Sequence, residues 1–446
     1  MSQSASEPVS SGGLSSSQWL ILLLLALVQF TNILDFVIMM PLAPQFHDEW
    51  NLTAREFGFL VSAYAYAACL SGLLSSWFLD RIDRKTALLA IYLIFTVANF
   101  LCAEAQTYSF LLMSRAVAGL SGGILGGVIM AIIGDGIPYS HRGMATGIIM
   151  SSFAVASIVG IPLGLIVAEH YSWRYTFMAL AGLSMMLLVL AWYLLPKVRG
   201  HISTGGRLSP WETTWGMLSD WGHVRAYVLM ACLVMTTFAI IPFLPSYMVA
   251  NVGVDKKDIK WMYLIGGIGT LLSMTVIGKL ADRFGKLRVF QVLALLTIIP
   301  LLVVTHLPVV PLYVVLTATT IMMVFTAGRS VPVMAMVTAC TTSDRRGGFM
   351  SILSSVQQLA MGLATTISGL ILGVQALPEQ PAMTVQATQH AGPMAPLEGF
   401  PIVGWLAGAM SLLTVYLASR LKRVDEAPVS AQAFEPAEAH LAAELT

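Results

Sequence analysis

Twelve stretches of this chain are apolar for as long as a membrane crossing requires, and that recurrence limits the fold more than any other feature. They lie near 19–42, 55–79, 86–104, 108–134, 144–168, 174–195, 224–249, 259–281, 288–306, 309–338, 348–374 and 400–420. Crossing hydrocarbon takes about 20 apolar residues as a helix and about ten as a barrel strand. Backbone groups there have no outside partner, so each crossing must satisfy its own hydrogen bonds. The runs have the length of helices, which predicts an all-α membrane protein with twelve transmembrane helices. Charge content agrees: Asp, Glu, Lys and Arg make up 11% of the 446 residues, where a soluble domain carries about 25%. Ordinary soluble enzymes and disordered chains are thereby excluded. A net charge of +1 gives no electrostatic footprint for nucleic acid. Cys69, Cys102, Cys232 and Cys340 stand singly in apolar runs, a spacing that suggests neither disulfides nor a metal centre.

Orientation follows from counting Lys and Arg in the short loops. Seventeen fall on one side, in the loops around Arg81, Arg142, Lys197, Lys279 and Arg345 and after Arg420; five, Arg55, Arg174, Lys256, Lys257 and Lys260, fall on the other. The richer side is expected to be cytoplasmic, with both termini there, in an inner or plasma membrane. Residues 1–18 contain no Lys or Arg and so lack the basic start of a signal peptide; the first crossing is expected to be retained. The domain plan is a tail over 1–18, a six-helix half over 19–196, a linker over 197–223, a second half over 224–421 and a tail over 422–446. Within the linker, Pro210–Asp220 reads either as a short interfacial helix carrying Trp211 and Trp215 or as plain connection. A proline-rich segment without Lys or Arg follows Gln375 and reads as a loop on the far side.

The two halves resemble each other. Ser76-Trp-Phe-Leu-Asp80-Arg81-Ile-Asp83-Arg84-Lys85 follows the second crossing, and Gly278-Lys-Leu-Ala-Asp282-Arg283-Phe-Gly285-Lys286 follows the eighth, 202 residues later. His141-Arg142-Gly143 and Arg345-Arg346-Gly347 open the fifth and eleventh crossings, 204 apart, and Gly164-Leu-Ile recurs as Gly369-Leu-Ile 205 residues on. Duplicated halves are a transporter signature, with the substrate held between them near midplane.

With these motifs the chain resembles the major facilitator superfamily over all twelve crossings. Gly278–Lys286 fits that family's loop motif, and the first copy departs from it at Ser76 and Asp83, where the family usually has glycine. Arg115-x-x-x-Gly119 in the fourth crossing resembles a second motif. Gly160-Ile-Pro162-Leu-Gly164 in the fifth, followed by Trp173-Arg174, resembles the drug:proton antiporter and sugar-efflux-permease branch. The resemblance implies proton-coupled efflux of a small molecule by alternating access. It also implies gating roles for Asp80, Arg81, Arg84, Asp135, Gly278, Asp282 and Arg283, with Arg84 paired to Asp135, and a flexible seal at Gly160, Pro162 and Gly164.

The residues themselves nominate a coupling group. Asp35 is the one acid deep inside an apolar run, with Asp135 near the cytoplasmic end of another. A lone charge there costs about 3 kcal/mol even on lenient insertion scales, so Asp35 should face inward and have a partner. Arg115 sits about seven residues from the outer end of its crossing, as Asp35 does in its own, which puts both ~10 Å deep. Burial and a neighbouring cation act oppositely on a carboxyl's charge, so Asp35 is expected to carry the coupling proton and Arg115 to modulate it. The alternative is a fixed ion pair that only orients two helices. Gln29, Asn32, Asp35 and Met39 share one face of the first crossing. With Phe36, Tyr64, Phe153, Phe238, Gln357 and Gln358 they form the expected substrate wall. Arg329 in the tenth crossing could meet an anionic substrate or the carbonyl freed by Pro332.

The opposite direction, a proton symporter importing a sugar or organic acid, uses the same fold and stays open. An intramembrane enzyme or receptor is disfavoured: no HExxH, Walker glycine loop or GxSxG is present, and the eight His do not cluster. Expected partners are a small-molecule substrate, protons and bilayer lipid, with the chain working as a monomer and without a cofactor.

Overall fold

A computed structural model describes residues 14–78, 82–138, 141–196, 216–342, 346–374 and 394–421, and every regular element among them is helical. The first half holds α1 (Ser16–Ile38), α2 (Ala43–Trp50), α3 (Ala54–Phe78), α4 (Arg84–Ala103), α5 (Tyr108–Gly136), α6 (Arg142–Val155), α7 (Ile161–His170) and α8 (Trp173–Leu194). The second holds α9 (Trp221–Phe238), α10 (Leu244–Ala250), α11 (Ile259–Phe284), α12 (Lys286–Thr305), α13 (Leu312–Gly328), α14 (Ser330–Thr338), α15 (Arg346–Val374) and α16 (Phe400–Ser419). Small polar side chains start several of them. Ser15 and Gln18 form a reciprocal capping box, so α1 takes in the last three residues of the expected tail. Asp83, Thr107 and Ser172 accept backbone N–H groups at the starts of α4, α5 and α8.

Eleven helical stretches among the described residues are long and apolar enough to cross a membrane. The expected run at 224–249 is the exception, because it breaks into α9 and α10 around Ala239–Phe243. Proline has no N–H, so Pro242 and Pro245 leave the carbonyls four residues earlier without their helical donors. The first crossing breaks in the same way between α1 and α2, at Pro41 and Pro44. Both Pro-x-x-Pro segments lie 201 residues apart, which extends the duplication to a fourth place. In the fifth crossing Ala156–Gly160 winds as a π turn ahead of Pro162, and in the tenth the helix is interrupted at Arg329, three residues before Pro332.

The apolar core is divided unequally. One cluster joins both halves: Met39, Phe46 and Leu60 of the first pack with Phe243, Met262 and Phe400 of the second. It lies on the side away from the basic loops. On the basic side there are two separate clusters, one within each half, around Leu22, Tyr92 and Ile133 and around Met230, Phe290 and Phe349. The apolar core thus spans both halves on one side of the molecule and is separate in each half on the other.

One seam between the halves runs the length of the bundle. Along α3 and α15, Gly58 faces Gly369, Gly362 faces Tyr66, Gly72 faces Ser355, and the Tyr66 hydroxyl lies 2.9 Å from Thr366 Oγ1. The pseudo-symmetric pairing of α6 and α7 with α11 is shorter; there Gly267 meets Ser157 and Ile158 of the π turn. Large apolar side chains, among them Trp192, Leu272, Ile299 and Trp405, stand out from the bundle as a lipid-facing perimeter requires.

Candidate functional site

The polar stripe of α1 leads to an ion pair. Asp35 is completely buried, Arg115 is 1% exposed, and their Oδ1 and Nη1 atoms lie 2.5 Å apart. The sequence-based pairing of these two residues at one depth is therefore present. The guanidinium also sits over the Tyr64 ring, 4.8 Å from its centroid. The Tyr64 hydroxyl donates to Asn32 Oδ1 at 3.2 Å, and the Asn32 amide donates to the Gly122 carbonyl at 3.3 Å. Glycines on α5 make the room: a Cβ on Gly122 would overlap the Tyr64 hydroxyl, and one on Gly119 would come within 2.8 Å of the Tyr64 Cα. Asp35 Oδ2 and Arg115 Nε have no hydrogen-bond partner among the described residues.

Next to the pair, Phe36 bridges the halves. Its ring centroid lies 5.3 Å from Tyr64 and 5.8 Å from Phe238 of the second half. Of the expected substrate wall, Asn32, Met39 and Tyr64 are buried, Gln29, Phe36, Phe238, Gln357 and Gln358 are half-buried, and Phe153 is exposed. The buried oxygens Gln29 Oε1 and Gln358 Oε1 have no partner among the described residues. Tyr64 belongs to the charge network more than to an open wall.

Arg329 is fully enclosed and away from this group. Its Nη1 donates to Ser411 Oγ at 3.1 Å and its Nη2 to Thr237 Oγ1 at 3.2 Å, with the Leu233 carbonyl at 3.5 Å. Its partners are two hydroxyls and one carbonyl, and two helix ends add to them. Arg329 caps the C-terminus of α13 and reaches the last turns of α9, and each helix C-terminus supplies about half a negative charge.

On the basic side, Arg84 Nε pairs with Asp135 Oδ2 at 3.2 Å, the pairing that the family resemblance implies. Asp80 and Arg81 lie outside the described residues, as do 197–215 of the linker and 375–393 of the proline-rich loop. Asp83 caps α4 with φ −54°, accepting from the Thr86 amide at 3.1 Å, whereas its counterpart Gly285 has φ +91°. The first loop copy therefore turns by a side-chain cap and needs no glycine there, while the second does. Asp282 and Arg283 stand exposed beside it, and Gly278 has open space around it. Gly160 and Gly164 face Leu34 and Ile38 of α1, and the π turn between the halves is presented by Ser157 and Ile158.

Sequence reasoning missed a second set of charges. On the side away from the basic loops, Lys256 pairs with Asp48 and Lys260 with Glu169 at 2.8 Å; both pairs join the halves. A cavity of about 460 Å³ lies between them, lined by Pro41, Asp48, Glu49, Glu169, Trp173 and Lys256. Opposite charges in loops assigned to one side were the available signal, but counting them for topology hid it.

A multi-pass helical bundle in two related halves, with a charged pair buried inside one of them, has the build of a membrane transporter. The sequence profile of the Major Facilitator Superfamily matches residues 25–238 and again 226–445, and the chain belongs to that family. It is 24% identical over 367 residues to the uncharacterised MFS-type transporter YceJ of Bacillus subtilis, covering 82% of this chain and 89% of that protein. Two matches are shorter: 28% to YwfA of the same organism, and 22% to a protein of Mannheimia succiniciproducens named "Probable sugar efflux transporter". The first covers 56% of this chain and the second 52%; the alignments span 61% and 57% of those relatives' own lengths. The fold is also that of a bacterial homologue of the human lysosomal transporter Spinster in an inward-facing, occupied conformation. That likeness has TM-score 0.72 and 16% identity, covering 93% of this chain and all of that one. A D-xylose–proton symporter matches with TM-score 0.73 at 15% identity, covering 91% and 98%.

Proposed function

We propose that the protein exports a small neutral or anionic molecule, such as a sugar, in exchange for protons, by alternating access. The basic side faces the cytoplasm, and the chain works as a monomer in the inner or plasma membrane. The observation that supports coupling is the Asp35–Arg115 pair, sealed within the first half and one residue from the Phe36–Phe238 contact between the halves. An enclosed carboxylate has to wait for a different conformation to exchange its proton, which ties protonation to the movement. The shared apolar cluster and the two cross-half ion pairs match a state closed to the outside. Substrate contacts come from Gln29, Asn32, Phe36, Met39, Phe153, Phe238, Gln357 and Gln358, with Tyr64 held against Arg115 beside them and Arg329 enclosed within the second half. Gating falls to Arg84 and Asp135 with Asp80, Arg81, Gly278, Asp282 and Arg283, and to the segment of Gly160, Pro162 and Gly164. The relative named as a sugar efflux transporter supports that cargo class.

The test is transport in proteoliposomes with a panel of labelled mono- and disaccharides under pH gradients of both polarities. Sugar movement against its gradient, opposite to the proton flow, supports the reading. Sugar and protons moving in the same direction make the protein an importer and overturn the export direction.

The outer ion pairs give a second expectation. Asp48→Lys sets two cations against each other and should shift labels at Tyr171 and Val309 towards longer separation. Exposed pairs are worth about 0–1 kcal/mol, so the shift in population is at most about fivefold. Adding Lys256→Asp should restore the original distance distribution; a double variant no closer to wild type than the single one shows that the pair does not hold the halves.

A further inference from the structure

We infer that Tyr64 is a positioning residue for coupling: it keeps the Arg115 guanidinium in place when Asp35 gains a proton, and it passes the change through Phe36 to Phe238 of the other half. This rests on the reading that Asp35 carries the coupling proton.

The geometry builds the relay step by step. Protonation removes the charge that Arg115 is held by, yet Arg115 is 1% exposed, so bulk water is in no position to take over that contact in this conformation. The groups that face it are Asp35 of α1, Tyr64 of α3 and the Cys102 thiol of α4. Among these, the Tyr64 ring alone offers a cation a large electron-rich face, at 4.8 Å. The ring cannot turn away freely. Its hydroxyl is fixed by Asn32, and Gly119 and Gly122 press α5 against its backbone and its phenol. On its other flank the ring meets Phe36, whose neighbour in sequence is Asp35 itself, and Phe36 meets Phe238. A small displacement of Arg115 is therefore delivered to the interface between the halves through three packed rings. Packed cores pass on such shifts because they have discrete arrangements.

The test needs no cargo. Spin labels at Tyr171→Cys and Val309→Cys report the separation of the halves on the outer side in liposome-reconstituted full-length protein, across a series from mildly acidic to mildly alkaline pH. Wild type should change its distance distribution with pH. Tyr64→Phe, which keeps the ring, should respond as wild type does. Tyr64→Leu should lose the response, because removal of a desolvated cation–π contact amounts to roughly a thirtyfold change in the balance of states. Phe36→Leu should still take up the proton, read by a pH-sensitive dye after an acid pulse, but fail to move the labels.

Tyr64→Leu responding like wild type overturns the inference. Should Tyr64→Leu not fold, Phe36→Leu decides: a wild-type pH response there overturns the relay. Asp35→Asn separates the two levels. If Asp35→Asn keeps the full pH response, or wild type shows none, the coupling reading beneath fails and the relay with it. If Asp35→Asn loses the response while Tyr64→Leu retains it, only the role of Tyr64 fails.

Discussion

Asp35→Asn should abolish transport driven by a pH gradient while leaving exchange of substrate across a gradient-free membrane. Asparagine keeps the size of the side chain and an oxygen that can accept from Arg115, but it has no proton to trade at any working pH. Exchange requires the halves to alternate but no net proton movement, so it survives. The stability cost is real, because removing one charge of a buried pair costs about 3–5 kcal/mol. It is softened here by the retained hydrogen bond and by the Tyr64 ring over the guanidinium. Adding Arg115→Met to Asp35→Asn should recover thermal stability and leave driven transport absent. Uptake and counterflow with the same labelled sugar, beside a melting curve, check all three statements. Driven transport in Asp35→Asn at the wild-type rate removes the coupling role and leaves a pair that only orients α1 and α5.

Gly119→Ala should be one of the most damaging single methyl groups among the described residues. A Cβ there overlaps the Tyr64 carbonyl oxygen and lies 2.8 Å from the Tyr64 Cα. Both are backbone atoms of a neighbouring helix, so no side chain can rotate away and α3 must retreat from α5. Overpacking typically costs about 1–3 kcal/mol, and the rigid neighbour puts this case at the top of that range or beyond it. Gly127 on the same helix has nothing within 4 Å of an added Cβ. Gly127→Ala should be neutral or gain up to about 1 kcal/mol from helix propensity. Melting temperatures from size-exclusion profiles of the two detergent-solubilised variants compare them directly. Equal losses for both would show that the close approach of α3 and α5 is not what Gly119 provides.

Much of the fold was legible because hydrocarbon imposes a length rule, and the rule acts on sequence alone. The expected run at 224–249 shows its limit: composition sees one apolar stretch, while Pro242 and Pro245 break it locally. The buried Asp35–Arg115 pair was legible for a related reason. An acid in an apolar run is conspicuous, and rise per residue gives its depth. Tyr64 was assigned to a substrate wall because its role depends on Gly119 and Gly122 of another helix, which spacing along α3 does not contain. The enclosure of Arg329 depends on Ser411 and Thr237 in the same way. Asp48 and Glu169 were illegible as partners because loop charges serve topology equally well. At Asp83 the sequence departs from the family's usual glycine, and the side-chain cap that replaces it could be seen only in the structure.

The glycine-lined seam of α3 and α15 has a mechanical consequence. Contacts this close can slide but hardly part, so a tilt of one half against the other should pass along that flank as shear, and a methyl group at Gly58 or Gly369 should hinder it more than one at Gly147, which has open space around it.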